Sequence, residues 1–242
     1  MAYQEQNEHF GLLQFKSLTS GRQYARLYRL VLENVKPESP VLDWGSGNGH
    51  FSYFLLRSGY RVWAYSLEEH KLHQELKKKY PGYNLKQGTE KDPISLPYAD
   101  GSFDAVSSVG VLEHVGETGG DEVASLKEIK RVLRPGGLFV CYHFPNEYSW
   151  IEALSGLFPK KHHHQFKYTR TDIERLCRQA GLELFKVKRY GFLPRNMWGG
   201  MPKRVANSKL VSFLWDWKDN VLGFLFNPLC QNFLFLAKKH EK

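Results

Sequence analysis

Asp43, Gly45, Ser46, Gly47 and Gly49 fall within positions 43–49, directly behind the apolar pair Val41-Leu42. Glycines at alternate positions let a backbone turn sharply and come close to a ligand, because no Cβ stands in the way. The run Phe51-Ser52-Tyr53-Phe54-Leu55-Leu56 that follows reads as a helix. A helix start offers N–H groups and partial positive charge to an anionic group. The chemistry available is that of a cofactor cradle built from close backbone and one acid. It is not the dinucleotide pattern Gly-x-Gly-x-x-Gly, because the third glycine comes one residue early and His50 stands in its place.

Two histidines are candidates for proton transfer. His114 follows Glu113 just after a predicted strand, and a histidine there suits deprotonation of a hydroxyl. The alternative role for His114 is to position its own loop. His143, at the end of another predicted strand, is the second candidate. His162-His163-His164 resembles a metal tract, but adjacent histidines on one loop rarely converge on one ion, and no Cys or acid lies close in sequence. No metal is expected. Cys141, Cys177 and Cys230 are odd in number and far apart, so neither a disulfide framework nor a metal knuckle follows. They read as buried small hydrophobes.

Positioning these residues falls to alternating strands and helices. Strands are expected at about 40–44, 61–66, 84–88, 103–108, 138–143, 182–190 and 233–237. Helices are expected at about 48–57, 68–80 and 121–133, the last with Val123, Leu126, Ile129, Val132 and Leu133 inward. A further helix opens on Thr171-Asp172-Ile173-Glu174, read as a capping box, and ends at Gly181. A leading helix at 21–34 carries Tyr24, Leu27, Tyr28 and Val31 at helical spacing, with Leu32 beside them. This alternation implies an α/β fold, a doubly wound (Rossmann-like) sheet with helices on both faces.

The 242 residues suit one domain with an elaboration: an N-terminal helical segment (1–36), a core (37–190), an aromatic-rich insertion (191–230) and a last strand with its tail (231–242). The formal net charge of +9 suggests anionic company or simple solubility charge. The polar start 1–7 lacks the core of a signal peptide, and with three unpaired cysteines the expected compartment is a reducing cytoplasm. The uncharged run 220–237 is broken by Gly223, Asn227 and Pro228, so it reads as helix, stop and strand rather than the span of about 20 apolar residues that a bilayer needs.

Val41-Leu42-Asp43-x-Gly45-x-Gly47-x-Gly49 resembles motif I of the class I S-adenosylmethionine-dependent methyltransferases. Two further blocks narrow the resemblance to the type 11 methyltransferase subgroup: Leu96-Pro97-Tyr98-Ala99-Asp100-Gly101-Ser102-Phe103-Asp104, leading to Leu112-Glu113-His114-Val115, and Leu133-Arg134-Pro135-Gly136-Gly137. It covers about residues 38–190. It implies seven strands in the order 3-2-1-4-5-7-6, with the seventh antiparallel. It also implies S-adenosylmethionine as cofactor and S-adenosylhomocysteine as product. Asp43 would then face the ammonium, with backbone at Gly45, Ser46, Gly47 and Gly49. The family usually has an acid for the ribose at the end of the second strand; Ser66 stands there, with Leu67 and Glu68 following. Thr89 or Glu90 would lie near the adenine, and Val109 at the end of the fourth strand.

The Asn/Asp-Pro-Pro-aromatic motif of amino-methylating nucleic-acid enzymes is absent, since Ser108-Val109-Gly110 occupies its place, and nucleic acid is not the expected partner. His164-Gln165-Phe166-Lys167-Tyr168-Thr169 resembles a substrate-side loop of related enzymes acting on glycans and lipids. The expected function is methyl transfer to oxygen or carbon of a small hydrophobic acceptor. The alternative is a methyltransferase-like binding module without catalysis, for which Ser66 is the only support. The insertion mixes Phe213, Trp215, Trp217, Phe224 and Phe226 with Arg195, Lys203, Arg204, Lys209 and Lys218. Rings among basic heads suit an anionic membrane surface. The insertion is therefore expected to be a lid over a lipid-like, quinone or isoprenoid acceptor, with peripheral membrane contact; the alternative is a helical hairpin closing the core or a dimer interface.

Overall fold

The computed structural model describes residues 15–89, 91–156 and 164–241, apart from the side chains of Thr118 and Asn196. The expectations for residues 1–14, Glu90, His162 and His163 therefore lie outside the described residues. The strands are β1 (Pro40–Trp44), β2 (Arg61–Ser66), β3 (Asn84–Gln87), β4 (Phe103–Val109), β5 (Leu133–Pro145), β6 (Glu183–Tyr190) and β7 (Asn232–Lys238). The helices are α1 (Leu18–Gly21), α2 (Ala25–Asn34), α3 (His50–Arg57), α4 (Lys71–Lys79), α5 (Glu122–Val132), α6 (Trp150–Ser155), α7 (Arg170–Ala180), α8 (Lys203–Ala206) and α9 (Lys209–Leu225).

The strands form one sheet in the order β3-β2-β1-β4-β5-β7-β6. β1 pairs in parallel with β2 and β4, whereas β7 runs antiparallel to both β5 and β6. Side chains alternate across the sheet with a period of two, and this divides the core. Val41, Val62, Ala64, Ala105, Val140 and Leu234 share one cluster with Leu27, Val31, Leu55 and Leu76 of α2, α3 and α4. Leu42, Tyr65, Val106, Phe139 and Phe235 share the other with Leu126, Ile129, Ile173 and Cys177 of α5 and α7. Every residue of β1 is buried, as the apolar run requires. The strand order reverses between β1 and β4, which opens a crevice at the carboxyl edge.

Helix ends follow local chemistry, and four features depart from the sequence expectation. The box that opens α7 is Thr169 with Asp172, two residues before the expected start: Thr169 keeps an extended backbone, its side chain accepts from the Asp172 amide, and Thr171 is already helical. α4 begins at Lys71, so Glu68-Glu69 precede it. α2 buries Leu30 beside Leu27 and Val31, and Leu32 is 54% exposed. β5 is longer than expected because the Leu133-Arg134-Pro135-Gly136-Gly137 run joins it. All three cysteines are buried and free.

The insertion between β6 and β7 docks on the N-terminal helices. The Thr19 and Ser212 hydroxyls lie 2.7 Å apart, Arg22 pairs with Asp216, and Arg26 donates to Asn220 at 2.7 Å. Asp219, buried in α9, accepts from the amides of Phe192 at 2.8 Å and Leu193 at 2.7 Å, and lies 3.2 Å from Arg195. Removing one partner of a buried charged network leaves the others uncompensated. Asp219→Ala is expected to cost about 3 kcal/mol in urea unfolding, with new proteolytic cleavage inside 191–230; unchanged stability and cleavage would contradict this anchoring.

Candidate functional site

β1 delivers Asp43 and Trp44 to the carboxyl edge of the sheet, and the chain then turns on three left-handed glycines: Gly45 (φ 73°), Gly47 (φ 50°) and Gly49 (φ 85°). The amides of Gly45 and Ser46 donate to the Tyr65 carbonyl of β2 at 2.8 and 2.9 Å, which fixes the turn against the neighbouring strand. A Cβ on Gly45 would strike Val111 at 2.3 Å, whereas among the described residues one on Gly47 would meet nothing within 4 Å. Packing thus closes the loop at Gly45 and leaves space above it at Gly47.

A histidine that sequence reasoning missed braces the loop from behind. His73 of α4 is fully buried, with Nε2 2.7 Å from the Gly47 carbonyl and Nδ1 2.6 Å from the Tyr83 hydroxyl. Nε2–H donates to the carbonyl and Nδ1 accepts from Tyr83. Burial lowers the His73 pKa, which favours this neutral form. Nothing in the residues around 73 or 83 signals the role, because it arises only when α4 folds against the loop.

Asp43 is buried and accepts from the Ser52 hydroxyl at 2.6 Å, tying the end of β1 to the first turns of α3. Burial raises its pKa to about 7, against the opposing pull of the Ser52 donors. Ser46 is buried in the loop, and Ser66 is buried at the carboxyl end of β2 with one hydroxyl to offer. Leu67 and Glu68 follow it in exposed chain. Thr89 lies just past β3, bridged to Asp92. Val109 ends β4, and the next amide, Gly110, donates to the Tyr142 carbonyl at 2.9 Å. The fold therefore gathers Asp43, Gly45, Ser46, Gly47, Gly49, Ser66, Thr89 and Val109 at the carboxyl ends of four adjacent strands.

His114 and His143 line a separate cavity of about 1170 Å³, bounded by the N-terminal helices, the β4 and β5 loops and the insertion. His114 Nδ1 lies 2.9 Å from Glu117 Oε2. Glu113, buried beside it, has its pKa raised to about 7 by burial. His143 has a left-handed backbone, φ 65°. Its amide donates to the Tyr190 hydroxyl at 2.9 Å, and that hydroxyl also lies 2.9 Å from His143 Nδ1. Burial lowers the His143 pKa to about 4, which favours the neutral ring. The Tyr24 ring links the two halves, 4.5 Å from His50 at the start of α3 and 5.4 Å from His143.

A family described as "Methyltransferase domain" matches residues 42–141. An uncharacterized methyltransferase of Synechocystis sp. is 30% identical over 172 residues, covering 68% of this chain and 77% of the relative. A demethylmenaquinone methyltransferase of Beutenbergia cavernae is 35% identical over 125 residues, covering 51% of this chain, which spans about half (49%) of that relative. Among solved structures, the 1,6-didemethyltoxoflavin-N1-methyltransferase of Burkholderia thailandensis, with bound 1,6-didemethyltoxoflavin and S-adenosylhomocysteine, shares the fold. Its TM-score is 0.56 at 17% identity, over 99% of this chain and 84% of that one.

The raised pKa of Asp43 fixes a pH dependence. Between the ordinary carboxylate range and about 7 the folded protein holds a proton that the unfolded chain has released. The stability from this group is therefore complete at low pH and lost as pH rises through about 7. Asp43→Asn mimics the neutral form. Relative to wild type, the ligand-free Asp43→Asn protein is expected to melt higher at pH 8 than at pH 5; a larger relative loss at pH 8 would contradict the burial of an unpaired charge.

Proposed function

The chain belongs to the class I S-adenosylmethionine-dependent methyltransferases, in the type 11 subgroup, and we propose that its acceptor is a small hydrophobic molecule, methylated on oxygen or carbon and taken up at a membrane surface. S-adenosylmethionine supplies a methyl group already activated on a sulfonium. The chain's own task is to align acceptor and donor and keep water out. The open space above Gly47 and the left-handed glycines around it fit that cofactor. Asp43 places an acid beneath its ammonium. Ser66 offers the ribose one hydroxyl where a carboxylate would accept twice. Thr89 stands at the adenine end.

On the acceptor side, His114 donates from Nδ1 to Glu117, which leaves Nε2 as the acceptor of a proton from an acceptor hydroxyl. His143 Nε2–H donates to an acceptor oxygen. One observation carries the uptake reading. Leu210, Phe213, Leu214, Trp217, Val221, Phe224 and Leu225 of α9 recur at helical spacing on its exposed face, with Phe213 60%, Trp217 56% and Phe224 81% exposed. Phe213 and Trp217 also line the cavity, so the apolar face meets its mouth. Lys203, Arg204, Lys209 and Lys218 flank the rings in sequence, the composition of an interfacial helix. Among the described residues no helix is long and apolar enough to cross a membrane. The Beutenbergia cavernae relative, named for demethylmenaquinone, supports a quinone-type acceptor.

In vesicle flotation at low salt, wild type is expected to rise with phosphatidylglycerol-containing vesicles, and the double variant Phe213→Ser, Trp217→Ser to stay behind. Wild type that fails to float would remove the membrane uptake and leave methyl transfer standing.

A further inference from the structure

We infer that Glu113, His114 and His164 form a binding site for one first-row divalent transition ion on the wall of the large cavity. One potential ligand atom from each lies within 4.8 Å of the others. Bonds of about 2.0–2.2 Å set ligand atoms roughly 3–4 Å apart, so side-chain shifts that close the widest pair by about 1–2 Å complete the set. The pair Glu113-His114 sits in the turn Leu112–Thr118 that follows β4, and His164 precedes α7. They meet only in the folded chain. The sequence expectation of no metal weighed the neighbouring histidines 162–164 against one another and lacked this partner.

Two further features point to an ion. Each imidazole is oriented at Nδ1 by its own carboxylate: His114 by Glu117 at 2.9 Å, and His164 by Glu152 at 2.9 Å. Glu152 also accepts from the His164 amide at 3.1 Å. A histidine held at one nitrogen by a carboxylate is how proteins aim the other nitrogen at a metal. The rings lie 5.8 Å apart and nearly parallel. Glu113 is the second feature. It is 2% exposed, and among the described residues its Oε2 has no hydrogen-bond partner. A buried carboxylate oxygen without a donor is costly, and a cation at this position satisfies it. Two imidazoles and one carboxylate suit Zn²⁺, Fe²⁺ or Mn²⁺ rather than Mg²⁺ or Ca²⁺.

Three protein ligands leave coordination positions open, and all three residues line the cavity. A water or an oxygen of the bound molecule fills them. That the oxygen belongs to the methyl acceptor rests on the reading above, in which the ion, rather than bare His114, then meets it. Ion binding itself does not rest on that reading.

The test is a titration of the metal-stripped full-length protein with Co²⁺, followed by its visible absorption and by displacement with Zn²⁺. One Co²⁺ per chain is expected, with ligand-field bands of a four- or five-coordinate nitrogen and oxygen site. Glu113→Gln and His164→Ala are expected to weaken binding at least tenfold, and Glu152→Gln by about ten- to a hundredfold. The double variant His162→Ala, His163→Ala is expected to bind like wild type, with circular dichroism confirming the fold of each protein. Absence of saturable binding would overturn the site. So would binding that survives Glu113→Gln and disappears in the double variant, which would trace the ion to the histidine tract. S-adenosylhomocysteine binding, measured in the same samples, reports separately on the methyltransferase reading.

Discussion

The chain has to leave β1 and enter α3 across the carboxyl edge of the sheet without filling the space above that edge. The turn between them meets this constraint with backbone alone. Gly45, Gly47 and Gly49 take left-handed conformations that cost an L-residue energy. The Tyr65 carbonyl holds two amides at the front of the turn, and His73 holds the Gly47 carbonyl at its back. Tyr83 fixes His73, and Ser52 fixes Asp43. Side chains thus brace the loop from below and behind, and among the described residues none stands above Gly47. Placing β2 and β4 on either side of β1 sets Ser66 and Val109 beside the opening.

The other half of the site obeys a different logic. The region matched by the family, 42–141, holds most of the cofactor side. Much of the cavity wall comes from outside it: Tyr24 and Arg26 from the N-terminal helices, Tyr190 from β6, and Phe213 and Trp217 from α9. These segments are held together by polar contacts between α9 and the N-terminal helices and by Asp219 at the exit of β6. The insertion and the N-terminal helices therefore shape this cavity. Changes there can reshape the cavity without disturbing the glycine turn.

Much of the fold was legible in the sequence because it rests on local patterns. Apolar runs pointed to the central strands, Gly181 marked a helix end, and the alternating glycines marked the turn. The strand order and the antiparallel last strand, which only the family resemblance implied, match the sheet. What escaped depends on which segments meet after folding. The Thr169 box was misplaced because Thr171 carries the same chemistry two residues on. His73 and Tyr83 act on a loop more than twenty residues away. The contact of His143 with the Tyr190 hydroxyl joins residues 47 positions apart. The meeting of Glu113 and His114 with His164 likewise has no sequence signature, since their spacing fits no ligand motif.

The central claim is that the open backbone at Gly47 holds the nucleoside–amino-acid cofactor. Calorimetric titration with S-adenosylhomocysteine, of wild type and of Gly47→Val, tests it most directly. A side chain at Gly47 meets no atom of the described residues within 4 Å at its Cβ, and its left-handed backbone costs about 1–2 kcal/mol. The variant is therefore expected to fold and melt cooperatively. Wild type is expected to bind one S-adenosylhomocysteine per chain with measurable heat, and folded Gly47→Val to give none. No heat with wild type, or equal heat with both proteins, would contradict the account.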